Sequence, residues 1–343
     1  MILARLFRAM ATIAIALILA GGALAWIFMP RPGFGEPVFV EIPKGAGTRQ
    51  IATMLAGNGV IGNPVQFLIV RALRPKAKLK AGDYRFTNSA SAWDVFDRIA
   101  RGDIFYHVLV VPEGNNIFDI ASSLARQGIM PAEEFLKAAH DPLPIRDLDP
   151  RAPTLEGYLF PDTYHVTRHT TPAQLCRQMT DRFRTAWRRL GPPQAGVHDT
   201  VALASLIEKE AKLASERPLI ASVFLNRLRI GMPLQCDPTT IYAALIEQRY
   251  YGAIHRSDLD SKQAYNTYQH AGLPPGPIAN PGLASLKAAI EPAATGFLYF
   301  VARPDGSGGH HFSEQLAQHA RAVQQYRRGL REAEQADGPA RLR

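Results

Sequence analysis

From Ala9 to Met29 the chain runs for 21 residues without a charge, with Ile13, Ile15, Leu17, Ile18, Leu19, Leu24 and Trp26 among them. As a helix this run crosses the roughly 30 Å hydrocarbon core of a bilayer. It is expected to be a transmembrane helix over residues 9–29. Arg5 and Arg8 precede it, so the positive-inside rule leaves residues 1–8 in the cytoplasm and sends the remainder across. The rival reading is a cleaved signal peptide, because Ala23-Leu24-Ala25 has the small-x-small form of a cleavage site. The apolar run is longer than the usual h-region of about 7 to 15 residues and continues past that site, which favours an uncleaved anchor.

A folded part outside the cytoplasm makes nucleic acid an improbable partner. The net charge of +9, from 39 Lys+Arg against 30 Asp+Glu, then suits an anionic membrane surface or a cell-envelope polymer. A length of 343 residues predicts two or three domains, and 20% charged residues with ordinary aromatic content exclude disorder. Two cysteines exclude a disulfide scaffold and a Cys-built zinc site. Cys176 and Cys236 read as independent small core residues, with a disulfide between them as the alternative.

At an offset of 69 the chain matches itself at Pro43/Pro112, Gly45/Gly114, Ile51/Ile120, Ala52/Ala121, Leu55/Leu124, Ala56/Ala125 and Gly59/Gly128, without a gap. Each copy begins with an apolar strand-like stretch, turns at Pro-x-Gly and continues as Ile-Ala-x-x-Leu-Ala at helical spacing. A second helix near Pro64 to Leu73, a strand at Lys80 to Phe86 and a helix at Ala92 to Ala100 extend the first copy. The short strand, turn and helix resemble the LysM domain, a sugar-polymer-binding module, and place a LysM-like duplicated region over residues 36–140. The alternative role for such repeats is to hold a catalytic part at a set height above the membrane.

Beyond the Pro-rich stretch from Asp141 to Pro153, residues 150–335 read as mainly helical. Helices are expected from Thr171-Pro172, over about Asp199 to Leu213, Ser215 to Ile230, Asp237 to Glu247 and Asn280 to Ile290, with a hairpin from Phe297 to Ser313. In the helix containing Glu208-Lys209-Glu210, residues advance by about 100° each. Glu210 falls in the stripe of Leu203, Leu206 and Ile207, whereas Glu208 and Lys212 fall opposite, at the spacing of an exposed ion pair. A carboxyl on an apolar face is harder to ionise and can act as a general acid; a Glu satisfied by Arg217 or Arg227 is the competing reading. The stretch from Gly252 to Gly282 is rich in Gly, Pro and Tyr, and a loop of that length is usually functional or disordered. Its tyrosines and amides suit sugar hydroxyls and ring faces.

Several motifs are together specific: Leu155-Glu-Gly-Tyr-Leu-Phe-Pro-Asp-Thr-Tyr164, Ala204-Ser-Leu-Ile-Glu-Lys-Glu210, Val223-Phe-Leu-Asn-Arg-Leu228, Met232-Pro-Leu-Gln-Cys-Asp-Pro-Thr239, Ala264-Tyr-Asn-Thr-Tyr268 and Gly308-Gly-His-His-Phe312. In these the chain resembles the endolytic murein transglycosylases, the YceG-like family. The resemblance implies an α+β protein of the cell inner membrane, with a single span, a LysM-like region and a mainly α-helical, lysozyme-like catalytic domain with a small β element in the periplasm. It implies a lytic transglycosylase that cuts nascent peptidoglycan strands, with Glu210, last of Glu-Lys-Glu, as catalytic acid and base. On that reading Gln235, Tyr265, Asn266 and Tyr268 line the glycan cleft, Glu216 and Arg217 support it, and peptidoglycan synthases are candidate partners. Cys236 is given no chemistry. A hydrolase of lysozyme type would need a second acid, Asp162 or Asp237, although Asp237 reads first as the N-cap of its helix. A non-enzymatic glycan-binding scaffold is the third reading. No metal motif or phosphate loop is recognisable, so no cofactor and no metal are expected.

Overall fold

The computed structural model describes residues 2–30, 33, 35–191 and 196–336, with side chains described from Phe7 to Glu332; the side chain of Arg5, one of the two orienting arginines, lies outside that range. The chain forms two compact units: one runs to His107 and includes Thr167–His169, and the other comprises Val108–Val166 and the chain from Thr170 onward.

In the first unit, α1 (Ile2–Phe28) is followed by β1 (Val38–Ile42), α2 (Thr48–Gly57), α3 (Pro64–Leu73), β2 (Gly82–Phe86) and α4 (Ala92–Arg101). From Phe7 to Phe28, α1 is long and apolar enough to cross a membrane. Local chemistry sets the later boundaries. Asn63 caps α3 in a capping box with Gln66 and Pro64 opens the helix; Ser91 and Asp94 do the same for α4, which ends at Gly102 in the left-handed region. Strands β1 and β2 pair antiparallel and place Val40, Ile42, Tyr84 and Phe86 on a core completed by Ile51, Leu55, Phe67 and Phe96. Ile27, at the end of α1, belongs to the same core, the carbonyl of Trp26 accepts a bond of 2.9 Å from Gln66 Nε2, and Phe28 stacks on Trp93 at 5.1 Å.

The second unit takes β3 (His107–Val110) from Val108 onward, then α5 (Ile117–Arg126), α6 (Ala132–Ala139), β4 (Thr163–Val166), α7 (Pro172–Trp187), α8 (Val197–Glu210), α9 (Arg217–Arg229), α10 (Asp237–Ile246), α11 (Arg256–Leu259), α12 (Leu283–Ile290), the β5 (Tyr299–Ala302) and β6 (His310–Ser313) hairpin and α13 (Leu316–Ala336). Strand β3 pairs with β4, so the second copy repeats the strand-helix-helix-strand order of β1–α2–α3–β2, with a longer return to its closing strand. The expected division at 36–140 and 150–335 is not where the chain divides. Leu109, Val111, Ile120 and Leu124 of the second copy share one core with Leu155, Tyr158, Leu175 and Phe183, because its closing strand lies beyond Asp141–Pro153 and carries that segment into the fold. The two copies therefore belong to different units.

Cys176 and Cys236 are both free and buried, and each packs into a different core, in keeping with independent small core residues. The long Gly252–Gly282 stretch is ordered around the short α11 and a series of turns.

Candidate active site

Helix α8 is the centre of the second unit. Every residue from Val201 to Ile207 is buried, because small side chains (Ala202, Ala204, Ser205) let α9, α10 and α12 approach it closely. This corrects the expectation for Glu208. It does project opposite the Leu203–Ile207 stripe, but that side is buried too: its side chain is 5% exposed and pairs with Arg217 at 3.1 Å, and its other oxygen accepts the N–H of Gly282 at 2.9 Å. Lys212 is exposed and takes no part. Arg217, expected to support the cleft, also bonds Ser285 Oγ at 2.9 Å and serves this buried pair.

Glu210 is the last residue of α8, and the chain turns to extended backbone at Ala211. Burial raises the pKa of Glu210 above the ordinary glutamate value, and a negative charge at a helix C-terminus also opposes the helix dipole. The Cys236 thiol, which donates to Oε1 at 3.2 Å, pulls it back, as do the charges of His310 and Arg227, whereas Asp237 pushes it up. The carboxyl opens into a polar cleft of about 280 Å³, lined also by Arg227, Gln235, Asp237, Tyr268 and Phe300.

The far wall is the Pro233–Asp237 loop. Arg227 holds it by donating to the carbonyl of Leu234 at 2.7 Å, and the same side chain reaches the carbonyl of Leu298 at 2.7 Å. Gln235 has φ 48, a left-handed conformation uncommon outside glycine and found at functional sites. Asp237 is not the N-cap: Cys236 holds that position without a side-chain cap bond, and Asp237 is the first helical residue. Its carboxylate accepts the Tyr268 hydroxyl at 2.6 Å; burial first, and then this bond, raise the phenol pKa. Asp162 is away from this cleft, where it pairs with Arg182 at 2.5 Å and its pKa is lowered, first by a backbone bond from Thr163.

Of the expected glycan contacts, Gln235 and Tyr268 line the cleft and Tyr265 and Asn266 do not. Asn266 is fully buried; its amide donates to the carbonyls of Asp258, Leu259 and Ser261 and its oxygen accepts from Tyr268 N–H. No capacity remains for a sugar. Tyr265 packs on Tyr242 at 5.0 Å, and burial moves its hydroxyl up to about 12. Between them and the cleft stands Thr267, whose hydroxyl accepts the Cys236 N–H at 3.0 Å. Glu216 is buried and accepts from His310 N–H at 2.9 Å and Nδ1 at 2.7 Å, with the His310 ring edge-on to Phe300 at 5.3 Å. It fixes the β5–β6 hairpin that supplies the Phe300 wall.

Cys236 is the site residue that sequence reasoning missed; Arg227, weighed there only as a structural partner of Glu210, instead holds the Pro233–Asp237 wall. Helical spacing could not find Cys236, since it approaches from a loop 26 residues away.

Comparison with protein families matches residues 40–325 to the YceG-like family. The chain belongs to the YceG-like family. This YceG-like chain is 31% identical over 309 residues to the endolytic murein transglycosylase of Bacillus subtilis, covering 84% of each. It is 30% identical over 298 residues to that of Streptococcus pneumoniae, covering 77% of this chain but 54% of the relative. Among solved structures it matches a YceG-like protein of Listeria monocytogenes with TM-score 0.54 and 32% identity, covering 83% of this chain and 99% of the other.

Proposed function

We propose that this YceG-like chain is an endolytic murein transglycosylase that cuts the MurNAc-GlcNAc β-1,4 bond of nascent strands and leaves 1,6-anhydro-MurNAc ends. The observation that carries this is Glu210: a single desolvated carboxyl at the end of α8, in a polar cleft, held in reach of a thiol donor. The two bacterial relatives, both endolytic murein transglycosylases, support the same reading.

One carboxyl performs both proton transfers. Protonated Glu210 gives its proton to the oxygen leaving MurNAc, and the resulting carboxylate takes the proton from the C6 hydroxyl of the same sugar as that oxygen closes onto the anomeric carbon. The nucleophile is tethered, so proximity replaces a second carboxylate. The raised pKa suits the first step, and the Cys236 thiol with the charge of Arg227 steadies the carboxylate between steps. Gln235 and Tyr268 would contact the glycan.

Asp237, in the same cleft, is the one candidate that a hydrolytic reading could use. Mass spectrometry of muropeptides after digestion separates the two, because 1,6-anhydro ends are lighter by one water than reducing ends; reducing MurNAc ends would make the enzyme a muramidase. We further place α1 as an uncleaved inner-membrane anchor, with both units in the periplasm and β1–α2–α3–β2 as a LysM-like module. Cutting nascent strands there would terminate their elongation beside a peptidoglycan synthase. A C-terminal reporter that functions only in the periplasm tests the orientation, and N-terminal sequencing that begins at Trp26 would reverse the anchor assignment.

A further inference from the structure

We propose that Glu41, Asp83 and His169, in the first unit, form a binding site for a divalent transition-metal ion of the zinc type. Glu41 on β1 and Asp83 on β2 are directly opposite one another in the antiparallel register. Like charges placed so destabilise a sheet, unless a cation lies between them. His169 brings its Nε2 to 3.3 Å from Glu41 Oε2 and 3.2 Å from Asp83 Oδ2. One atom of each residue can be chosen so that all three lie within 4.8 Å of one another.

Hydrogen bonding alone leaves this cluster incomplete. The Asp83 side chain is 3% exposed, yet its Oδ2 accepts no hydrogen bond; the bond from His169 goes to Oδ1 at 3.3 Å. A single imidazole nitrogen faces two carboxylates and can donate one proton. Lys44, the other cation at this pocket, is exposed and among the described residues forms no ion pair with either acid.

The geometry fits a metal. Zinc bonds of about 2.0–2.2 Å to nitrogen and oxygen put tetrahedral ligands roughly 3.3 Å apart, the separation found from Nε2 to each carboxylate. One imidazole and two carboxylates suit zinc or manganese, and the two negative charges neutralise the ion. A cavity of about 200 Å³ beside the three residues leaves room for water on the open position, and half-exposed Glu41 and His169 leave an entry path. The ion would fasten the Thr167–His169 segment to the β1–β2 sheet. Because the ligands are far apart in sequence and follow no spacing rule, no metal motif is readable in the chain.

The test is calorimetric titration of the detergent-solubilised full chain, stripped with EDTA, with zinc chloride. One tight site per chain is expected. Glu41→Gln, an exposed strand position, and His169→Ala should each weaken it at least about tenfold with the metal-free melting temperature little changed. No zinc uptake by the wild type, or equal affinity in Glu41→Gln and the wild type, overturns the proposal. If His169→Ala does not fold, Glu41→Gln alone decides.

Discussion

The Sγ of Cys236 lies 3.2 Å from Oε1 of Glu210, and the thiol donates to the carboxyl. A side chain at the start of α10 thus bears on the ionisation of the last residue of α8. Since the bond stabilises the carboxylate, Cys236→Ala should raise the pKa of Glu210 further. The alkaline limb of the kcat/KM profile, where the acid loses its proton, should move to higher pH, and Cys236→Ser should restore it. Even from a donor as weak as a thiol, a hydrogen bond that favours the carboxylate contributes on the order of 1 kcal/mol, enough to displace the limb measurably in a pH series. An unmoved limb would mean that the thiol does not bear on the acid.

Glu210→Gln keeps the shape of the side chain but can neither give nor take the proton. Turnover should fall by at least the upper part of the 10² to 10⁴ range of acid-base assistance. Burial raises the folded pKa of Glu210 above its unfolded value, so the stability it contributes is full below the unfolded pKa and is lost as pH rises through the folded one. The variant should therefore melt no lower than wild type at neutral pH, which scanning calorimetry checks.

Glu208→Gln should behave in the opposite way. Breaking a buried pair leaves Arg217 without its counter-charge, a loss on the order of 3–5 kcal/mol when one partner is removed outright. A fall in melting temperature is expected, larger than that of Glu210→Gln, and a denaturant titration of both variants decides the order.

Glu156 is fully enclosed and its pKa is pushed up to about 8 by burial. Its carboxyl accepts from Ile117 N–H, Tyr242 OH and Asn280 Nδ2. The sign is again that of a raised carboxyl: its contribution is full below about pH 4.5 and lost as pH rises toward about 8. Glu156→Gln should flatten stability over that window while lowering it by about 1–3 kcal/mol in acid, because the new amide N–H₂ must face a donor.

The shared core of the second copy with the catalytic half predicts a truncation result. A fragment beginning at Val108 retains β3, α5 and α6 and should melt cooperatively. One beginning at Pro150 lacks Leu109, Ile120, Leu124 and Phe135 from its core and should not. Circular dichroism melts of the two fragments give the answer.

Where the chemistry is local, the sequence was legible. The Asn63-Pro64 start of α3, the Ser91 start of α4 and the hairpin before α13 follow from capping and turn residues that act within a few positions. Glu210 was legible because it shares a stripe with Leu206 and Ile207. The same periodicity failed for Glu208, since a stripe identifies one buried face and says nothing of whether the other is covered; that depended on Arg217 and Gly282. Asn266 misled for a related reason: an amide in a Tyr-rich loop suits a sugar and suits three backbone carbonyls equally. The offset of 69 revealed the duplication, but which core the second copy joins was decided by β4, beyond the Pro-rich stretch.

The last turn of α1 is part of the interior of the unit it precedes, through Ile27, Phe28 and the Gln66 bond to Trp26. A helix joined in this way leaves no slack at that joint, so a torque or tilt applied to the apolar segment passes directly to the β1–β2 module. The point of shedding matters too. Proteolysis before Trp26 would release the module with its interior whole, whereas a cut after Phe28 would remove Ile27 and open a void against α3 and α4, so release and unfolding are separated by a few residues of chain.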